Sequence, residues 1–153
     1  MPDVSTASVQ VGASIDRCYE VVADFEHYPD WVSDLKEVIV RSVDDQSRPK
    51  EVSFRAAAFG RSTSYVLEYD YSNAPSVVAW HLTEGDLTTK LDGSYEFEAL
   101  NDSLTEVTYT LEVELKVPLP GFVKRRAQSR IVHSALEDLK ARVELLSSGP
   151  SRK

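Results

Sequence analysis

The side chains that could do chemistry in this chain are tyrosines and a tryptophan at alternate positions of strand-like segments. Tyr65 and Tyr69 lie in one segment, Trp80 in the next, and Tyr95 and Tyr109 in two later ones. Side chains of a strand alternate between its two faces, so each residue belongs to the apolar face of its segment. An apolar surface with a few hydroxyl groups and an indole suits a hydrophobic ring system or an acyl chain carrying one or two oxygens. The alternative is ordinary core packing, because buried aromatic side chains are common.

The same alternation predicts the full set of side chains that would line a binding cavity. Strand parity places eight residues on the face that a covering helix would meet, and a one-residue error in register would move them to the opposite face. The predicted ligand-binding set on the strands is Phe54, Tyr65, Leu67, Tyr69, Trp80, Tyr95, Tyr109 and Leu111.

A basic cluster begins the last predicted helix of an otherwise acidic chain. Lys124, Arg125, Arg126 and Arg130 lie where the helix dipole favours acidic side chains. One interpretation is a solvated surface. The other places Arg125 and Ser129 on the inward stripe, with Arg125 at the cavity mouth pairing with an anionic ligand group. The remaining cations would then face outward, toward an acyl carrier protein or an anionic membrane surface.

The other reactive side chains give little indication of metal binding or catalysis. The three histidines, His27, His81 and His133, lie in separate elements without metal-ligand spacing, so we expect no metal. Cys18 lies on the apolar stripe of the first helix, which favours an inert buried thiol. No phosphate loop, nucleophile elbow or paired-carboxylate motif is present, so the sequence assigns no catalytic residue and predicts no cofactor.

Length and charge restrict the class of protein. A chain of 153 residues with 42% hydrophobic and 27% charged residues is ordinary for one globular domain. A net charge of -8 argues against nucleic-acid binding. One cysteine, no visible secretory signal and no apolar run near the roughly 20 residues of a bilayer span predict a cytoplasmic protein. We expect a monomer or a homodimer.

The order of periodicities predicts the elements that position these residues. A strand over 4–11 precedes a helix that Ser14 would cap, and Pro29 suits the first turn of a second short helix. Strand-like alternation continues from Val38 to Lys116, and helical periodicity follows over 119–146. We therefore predict an α+β fold: a seven-stranded, curved antiparallel sheet around a long C-terminal helix, with two short helices after strand one. Residues 1–146 would form one ligand-binding domain, and 147–153 a flexible tail. The expected buried stripe of the last helix is Val132, Leu136, Leu139, Val143 and Leu146.

With this order in place, the chain resembles the START/birch-pollen-allergen-like superfamily, which has the helix-grip fold. It is most similar to the polyketide cyclase/dehydrase and lipid-transport branch, which includes coenzyme-Q-binding proteins. The resemblance is carried by a helix followed by a Tyr-Pro-x-aromatic corner over 15–31, and by the segments 91–97, 105–109 and 118–122. The resemblance implies a cavity between sheet and helix. The superfamily contains binders, transporters, cyclases and hydrolases, so the fold does not choose among them.

Two functional hypotheses remain open at this point. In the first, the domain is a carrier or chaperone for a hydrophobic small molecule such as a lipid, a quinone or a polyketide. In the second, it is an aromatase/cyclase whose pocket folds a poly-β-keto chain while tyrosine or arginine polarises carbonyl groups. The sequence favours binding, because no side chain of the predicted cavity has the features of a tuned general base.

Overall fold

Seven strands, two α-helices and one 3-10 helix form the part of the chain that the structure, a computed structural model, describes: residues 3–33, 35–58 and 61–147. Of the predicted tail, Ser147 ends the last helix and the rest lies outside the described residues. The elements in chain order are β1 (Asp3–Val11), α1 (Ile15–Ala23), the 3-10 helix (Phe25–Asp30), β2 (Leu35–Val43), β3 (Pro49–Ala58), β4 (Arg61–Asp70), β5 (Val77–Gly85), β6 (Thr88–Asn101), β7 (Leu104–Leu115) and α2 (Gly121–Ser147).

The strands form a single antiparallel sheet in the order β1-β7-β6-β5-β4-β3-β2. Strands β2 to β7 follow one another as neighbours, and only the first strand crosses to the far side, through α1 and the 3-10 helix. The predicted architecture is confirmed: the sheet is curved, has seven strands, and pairs with one long C-terminal helix. Both short helices after β1 are present.

Cross-strand register gathers the aromatic side chains on one face of this sheet. Phe54 lies opposite Tyr65, and Tyr95 lies opposite Tyr109. Because directly paired residues of neighbouring strands point to the same side, these rings form a continuous surface across the sheet. The opposite face carries the charged and polar residues that alternate with these rings along the strands. This is expected of an antiparallel sheet with one face exposed to solvent.

The short helices begin where local chemistry favours them. Ser14 caps α1 as predicted, with its hydroxyl accepting a hydrogen bond from the Arg17 backbone N–H at 3.3 Å. The second short helix begins earlier than the proline predicted, at Phe25 rather than near Pro29. The rings of Phe25 and Tyr28 are both buried and lie 4.8 Å apart, which draws the chain into a tight turn directly after α1.

Helix α2 is held to one side of the sheet by an aliphatic stripe. Val132, Leu136, Leu139 and Val143 are buried, and the helix packs against β1, β7 and α1. Leu146, predicted to extend this stripe, is instead 40% exposed; it lies two residues beyond Glu144, which already contacts Gly12 just past the end of β1.

Polar contacts fix α2 at two levels. Near its C-terminal end the Glu144 carboxylate accepts hydrogen bonds from the Gly12 backbone N–H at 2.8 Å and from Lys140 at 2.7 Å. Near its N-terminal end the buried Gln128 amide donates to the Leu111 carbonyl of β7 at 2.8 Å. Gln128 takes the position where the stripe of aliphatic residues stops.

Within the described residues, no helix combines the length and apolar character of a bilayer span.

Gly93 provides a test of how the sheet accommodates Trp80. A Cβ atom at this position would lie 2.4 Å from the Thr110 carbonyl oxygen and 2.7 Å from the Trp80 ring. We expect Gly93→Ala to lower the free energy of unfolding by about 1–3 kcal/mol, because a crowded core must shift backbone or ring. Denaturant unfolding measures the change. Gly12→Ala is the matched control, since its Cβ would come no closer than 3.4 Å to Glu144. Equal stability of both variants would contradict this packing.

Candidate binding cavity

A cavity of about 850 Å³ lies between the inner face of the sheet and the N-terminal half of α2. Strands β3 to β7 provide one wall and α2 the opposite wall. One side is closed by Tyr28, Trp31, Val32, Ser33 and Leu35. Cavities of this size accommodate small-molecule ligands. The space exists because the buried stripe of α2 packs on β1 and β7, leaving the apolar face of the other strands uncovered.

The sheet wall brings together all eight strand residues selected by parity. Their rings contact one another: Trp80 lies 5.6 Å from Tyr95 and 5.5 Å from Tyr109, and the two tyrosine rings are 4.8 Å apart. Contact of these residues with a ligand stays a prediction. The eight that line the cavity are Phe54, Tyr65, Leu67, Tyr69, Trp80, Tyr95, Tyr109 and Leu111.

Four tyrosine hydroxyls supply most of the polarity of this wall. Among the described residues, no side chain or backbone group makes a hydrogen bond to the hydroxyls of Tyr65, Tyr69, Tyr95 or Tyr109. Burial raises the pKa of Tyr65 to about 12, and burial is also the largest cause that raises the pKa values of Tyr69, Tyr95 and Tyr109 above the usual range. At neutral pH the four groups are therefore neutral hydroxyls that can donate and accept hydrogen bonds.

Two other buried tyrosines have structural roles instead. The Tyr28 hydroxyl donates to the Val22 carbonyl oxygen, and the Tyr71 hydroxyl donates to the Pro49 carbonyl oxygen at 2.6 Å. Each bond ties a ring to the backbone of another element. Sequence alternation treats Tyr71 like Tyr69, so only the structure separates tied hydroxyls from unpartnered ones.

The helix wall corrects the prediction for Arg125 and Ser129. Neither residue lines the cavity, whereas Arg126 and Arg130, which we expected to face outward, do. Arg125 lies beside the Gly121 backbone, and Ser129 contacts His133. Successive residues are rotated by about 100° around a helix, so Arg126 and Arg130, each two positions from the buried Gln128, lie nearly opposite the buried stripe. The predicted stripe combines these two separate faces of the helix.

The mouth of the cavity is formed by α2 residues that line the cavity and are also exposed: Phe122, Val123, Arg126 and Arg130. Two further polar residues, Ser134 and Asp138, follow on the same face about 6 and 12 Å beyond Arg130 at 1.5 Å per residue. The Asp138 carboxylate accepts a hydrogen bond from the Ser33 backbone N–H at 2.9 Å. Its charge adds to burial in raising the pKa of Tyr95, and both residues line the cavity. Sequence reasoning missed Asp138 because the residue is off the aliphatic stripe.

A second polar region lies at the end of the cavity near β4 and β6. Thr63 donates a hydrogen bond to the Asp86 carboxylate at 2.6 Å, and the Ser64 backbone N–H donates to the same carboxylate at 3.0 Å. The buried Thr88 hydroxyl has no hydrogen-bond partner within the described part of the chain. Both threonines line the cavity, where the Thr63 hydroxyl is engaged with Asp86 and the Thr88 hydroxyl is buried.

The remaining reactive groups lie away from the cavity. His27 contacts Asp24 at 2.8 Å, and His81 faces Glu68 at 3.5 Å on the exposed side of the sheet. Burial raises the pKa of the Cys18 thiol to about 11, so the side chain is a weak nucleophile. No group of His, Cys, Asp or Glu within the described residues could hold a metal ion.

Comparison with known proteins decides the family. The sequence profile for polyketide cyclase / dehydrase and lipid transport matches residues 3–144. The chain belongs to this family. No curated protein sequence matches the chain. Membership explains why the strands, the aromatic corner and the long helix occur in this order.

Solved structures give the same fold. A START superfamily protein from Mycobacterium smegmatis is 26% identical, with a TM-score of 0.88 over 94% of this chain and 98% of its own. An aromatase/cyclase from Streptomyces sp. R1128 has a TM-score of 0.86 at 15% identity, covering 98% of both chains. A protein from Thermus thermophilus reaches 0.82 at 22% identity, over 96% of this chain and 100% of its own. The latter two likenesses concern the fold alone.

The buried tyrosines should be visible in a spectroscopic titration. In the folded protein, Tyr65, Tyr69, Tyr95 and Tyr109 should stay protonated above pH 10, whereas in denaturant all seven tyrosines titrate near 10. Because the unfolded state loses these protons first, stability should fall as pH rises from 10 through 12. Tyrosinate absorbance follows the ionisation, and Tyr65→Phe should remove one late-titrating group. Titration of all tyrosines near 10 in the folded state would contradict the buried assignment.

Proposed function

We propose that this domain binds one hydrophobic small molecule of the lipid, quinone or polyketide class in the cavity under α2, and acts as its carrier or chaperone. The observation that supports this most directly is the cavity of about 850 Å³ whose wall is largely aromatic and aliphatic. Removing apolar surface from water contributes about 25 cal/mol per Å², so both ligand and cavity wall gain by association. The cytoplasmic location and the monomeric or homodimeric state remain predictions.

The unpartnered hydroxyls orient such a ligand. A ligand carbonyl or hydroxyl near Tyr95 and Tyr109 would receive hydrogen bonds that the described part of the protein does not use internally. These bonds would fix one orientation and would discriminate against a pure hydrocarbon, because a buried polar group without a partner costs about 1–3 kcal/mol.

The charges along α2 would favour one orientation of a bound ligand. Arg126 and Arg130 flank the mouth, while the Asp138 carboxylate lies further along the same face. An anionic group would be attracted to the arginine pair and repelled near Asp138. We therefore place an acidic or enolate oxygen at the mouth and a neutral oxygen next to Tyr95. This proposal replaces Arg125 and Ser129 with Arg126 and Arg130 as the candidate polar contacts on the helix.

An aromatase/cyclase is the second candidate. It is favoured by the protonated Tyr95, whose pKa the Asp138 charge helps to raise: the hydroxyl could polarise a ligand carbonyl while the carboxylate accepts a proton. Incubation with a poly-β-keto thioester separates the two functions. A carrier returns the thioester with only its spontaneous products, whereas a cyclase shifts the product pattern and loses that effect in Tyr95→Phe.

Blocking the cavity tests the binding proposal directly. N-phenyl-1-naphthylamine is a neutral apolar dye whose fluorescence rises when it leaves water, and it should bind the wild-type protein. Ala127→Trp places an indole in the cavity and should reduce dye affinity at least tenfold. Ala141→Trp makes the same change on an exposed position of the same helix and should leave dye binding unchanged. Equal affinity of both variants, or no binding by the wild type, would refute the proposal.

The arginine pair is tested with a charged relative of the same dye. 8-Anilinonaphthalene-1-sulfonate differs from the neutral dye by one sulfonate group. We expect Arg126→Ala/Arg130→Ala to weaken binding of the sulfonate roughly fivefold, about 1 kcal/mol for a solvent-exposed charge contact. Binding of the neutral dye should be much less affected. The control Lys124→Ala/Arg125→Ala removes the same charge outside the cavity lining. Similar losses in both double variants would show that the mouth has no specific anion contact.

A further inference from the structure

Exposed apolar side chains surround the point where α2 begins. Phe122 is 66% exposed, more than any other large apolar side chain in the described residues. Val123 follows it on the helix, and Val117 and Leu119 precede it; each is more than a third exposed. Pro118 and Pro120 hold this approach to the helix in a restricted conformation. We call these four apolar residues the apolar tip.

The cations around the apolar tip are not neutralised by nearby acids of the sequence. Lys116, Lys124, Arg125, Arg126 and Arg130 fall in a segment, 116–136, without any Asp or Glu. None of the five forms a salt bridge with a described carboxylate. Among the other cations whose side chains the structure describes, Lys36 and Arg142 form no such bridge, whereas seven are paired: Arg17, Arg41, Arg48, Lys50, Arg55, Lys90 and Lys140. A concentration of such cations in a chain of net charge -8 indicates a surface that meets an external anion.

The apolar tip and the cavity mouth are one continuous surface. Phe122 and Val123 belong to both, and Arg126 and Arg130 stand beside them. A partner that covered the tip would therefore also cover the route by which a ligand enters the cavity.

We propose that this surface docks onto an anionic lipid bilayer, with the apolar tip inserted among the acyl chains and the five cations on the headgroups. A bilayer offers both complements at once, an apolar interior and an anionic surface a few ångströms above it. Long basic side chains can bury their stems while their charges stay at the headgroups. Docked in this way, the mouth opens onto the membrane, and a hydrophobic ligand passes between bilayer and cavity without crossing water. This inference rests on the proposed binding function.

Vesicle co-sedimentation tests the docking. The wild-type protein should bind phosphatidylcholine vesicles that contain phosphatidylglycerol, should bind pure phosphatidylcholine weakly, and should release as salt rises. Lys124→Ala/Arg125→Ala should weaken binding to the anionic vesicles roughly thirtyfold, the effect of two lost headgroup contacts. The charge-matched control Lys36→Ala/Arg41→Ala alters exposed residues of β2 and should bind as the wild type does.

A second pair of variants tests the insertion of the tip. Phe122→Glu should lose binding to the anionic vesicles, whereas Leu145→Glu, at a position on α2 that is 63% exposed, should retain most of it. Equal losses in this pair would overturn the proposal, as would wild-type protein that ignores anionic vesicles. Association with a purified acidic acyl carrier protein but not with vesicles would also overturn it.

The neutral dye separates this proposal from the proposed function. Lys124 and Arg125 do not line the cavity, so Lys124→Ala/Arg125→Ala should bind N-phenyl-1-naphthylamine with wild-type affinity while binding vesicles poorly. Dye binding without vesicle binding by the wild type would refute the docking and leave the binding function standing. Vesicle binding without dye binding would refute the binding function and, with it, the role assigned to the docked mouth.

Discussion

The cavity depends on how one helix covers only part of an apolar sheet face. The aliphatic stripe of α2 packs on β1, β7 and α1, and each fully buried side chain of that stripe contributes about 1.5–3 kcal/mol relative to exposure. Glu144 fixes one end of the helix, and Gln128 fixes the other to the Leu111 carbonyl. Held there, α2 cannot also pack on the inner face of the other strands. The space between them remains open to a ligand.

The polar groups of the cavity follow from the same arrangement. The cavity separates the inner face of the sheet from α2, and the hydroxyls of Tyr65, Tyr69, Tyr95 and Tyr109 make no hydrogen bond within the described structure. Tyr71, on the strand end that follows Tyr69, instead reaches the Pro49 carbonyl and is structural. The distinction between unpartnered and structural tyrosines is thus set by what each hydroxyl can reach, and not by burial.

The sheet and its inner face could be predicted from the sequence because apolar residues at every second position mark both a strand and its buried face. Apolar and polar residues alternate almost without a break in β6 and β7. Residues that are paired across the two strands point to the same face of the sheet, so the inward positions of one strand identify those of its neighbour. The same logic placed Phe54 and Trp80 on the cavity wall without any knowledge of the helix. The 3-10 helix was harder to predict, since its start at Phe25 depends on ring packing rather than on the proline.

The helix wall could not be predicted in the same way. A hydrophobic stripe reports the face of a helix that packs, and α2 has a second inward face that meets empty space. Arg126, Arg130 and Asp138 lie on that second face, so the stripe placed Arg125 and Ser129 there instead. The position of a cavity relative to a helix is a property of the assembled layers. For the same reason, the sequence did not predict the cavity mouth or the exposure of Phe122 within it.

The two tryptophans allow the most direct test of the central claim, that a hydrophobic ligand occupies the space under α2. Trp31 and Trp80 both line the cavity, on different walls. In a nitrogen-15 NMR titration with the neutral dye, both indole N–H resonances should shift in step with one binding curve. Backbone resonances on the opposite face of the sheet, at Lys50 and His81, should stay in place. Shifts confined to that opposite face, with both indole resonances unmoved, would contradict the account.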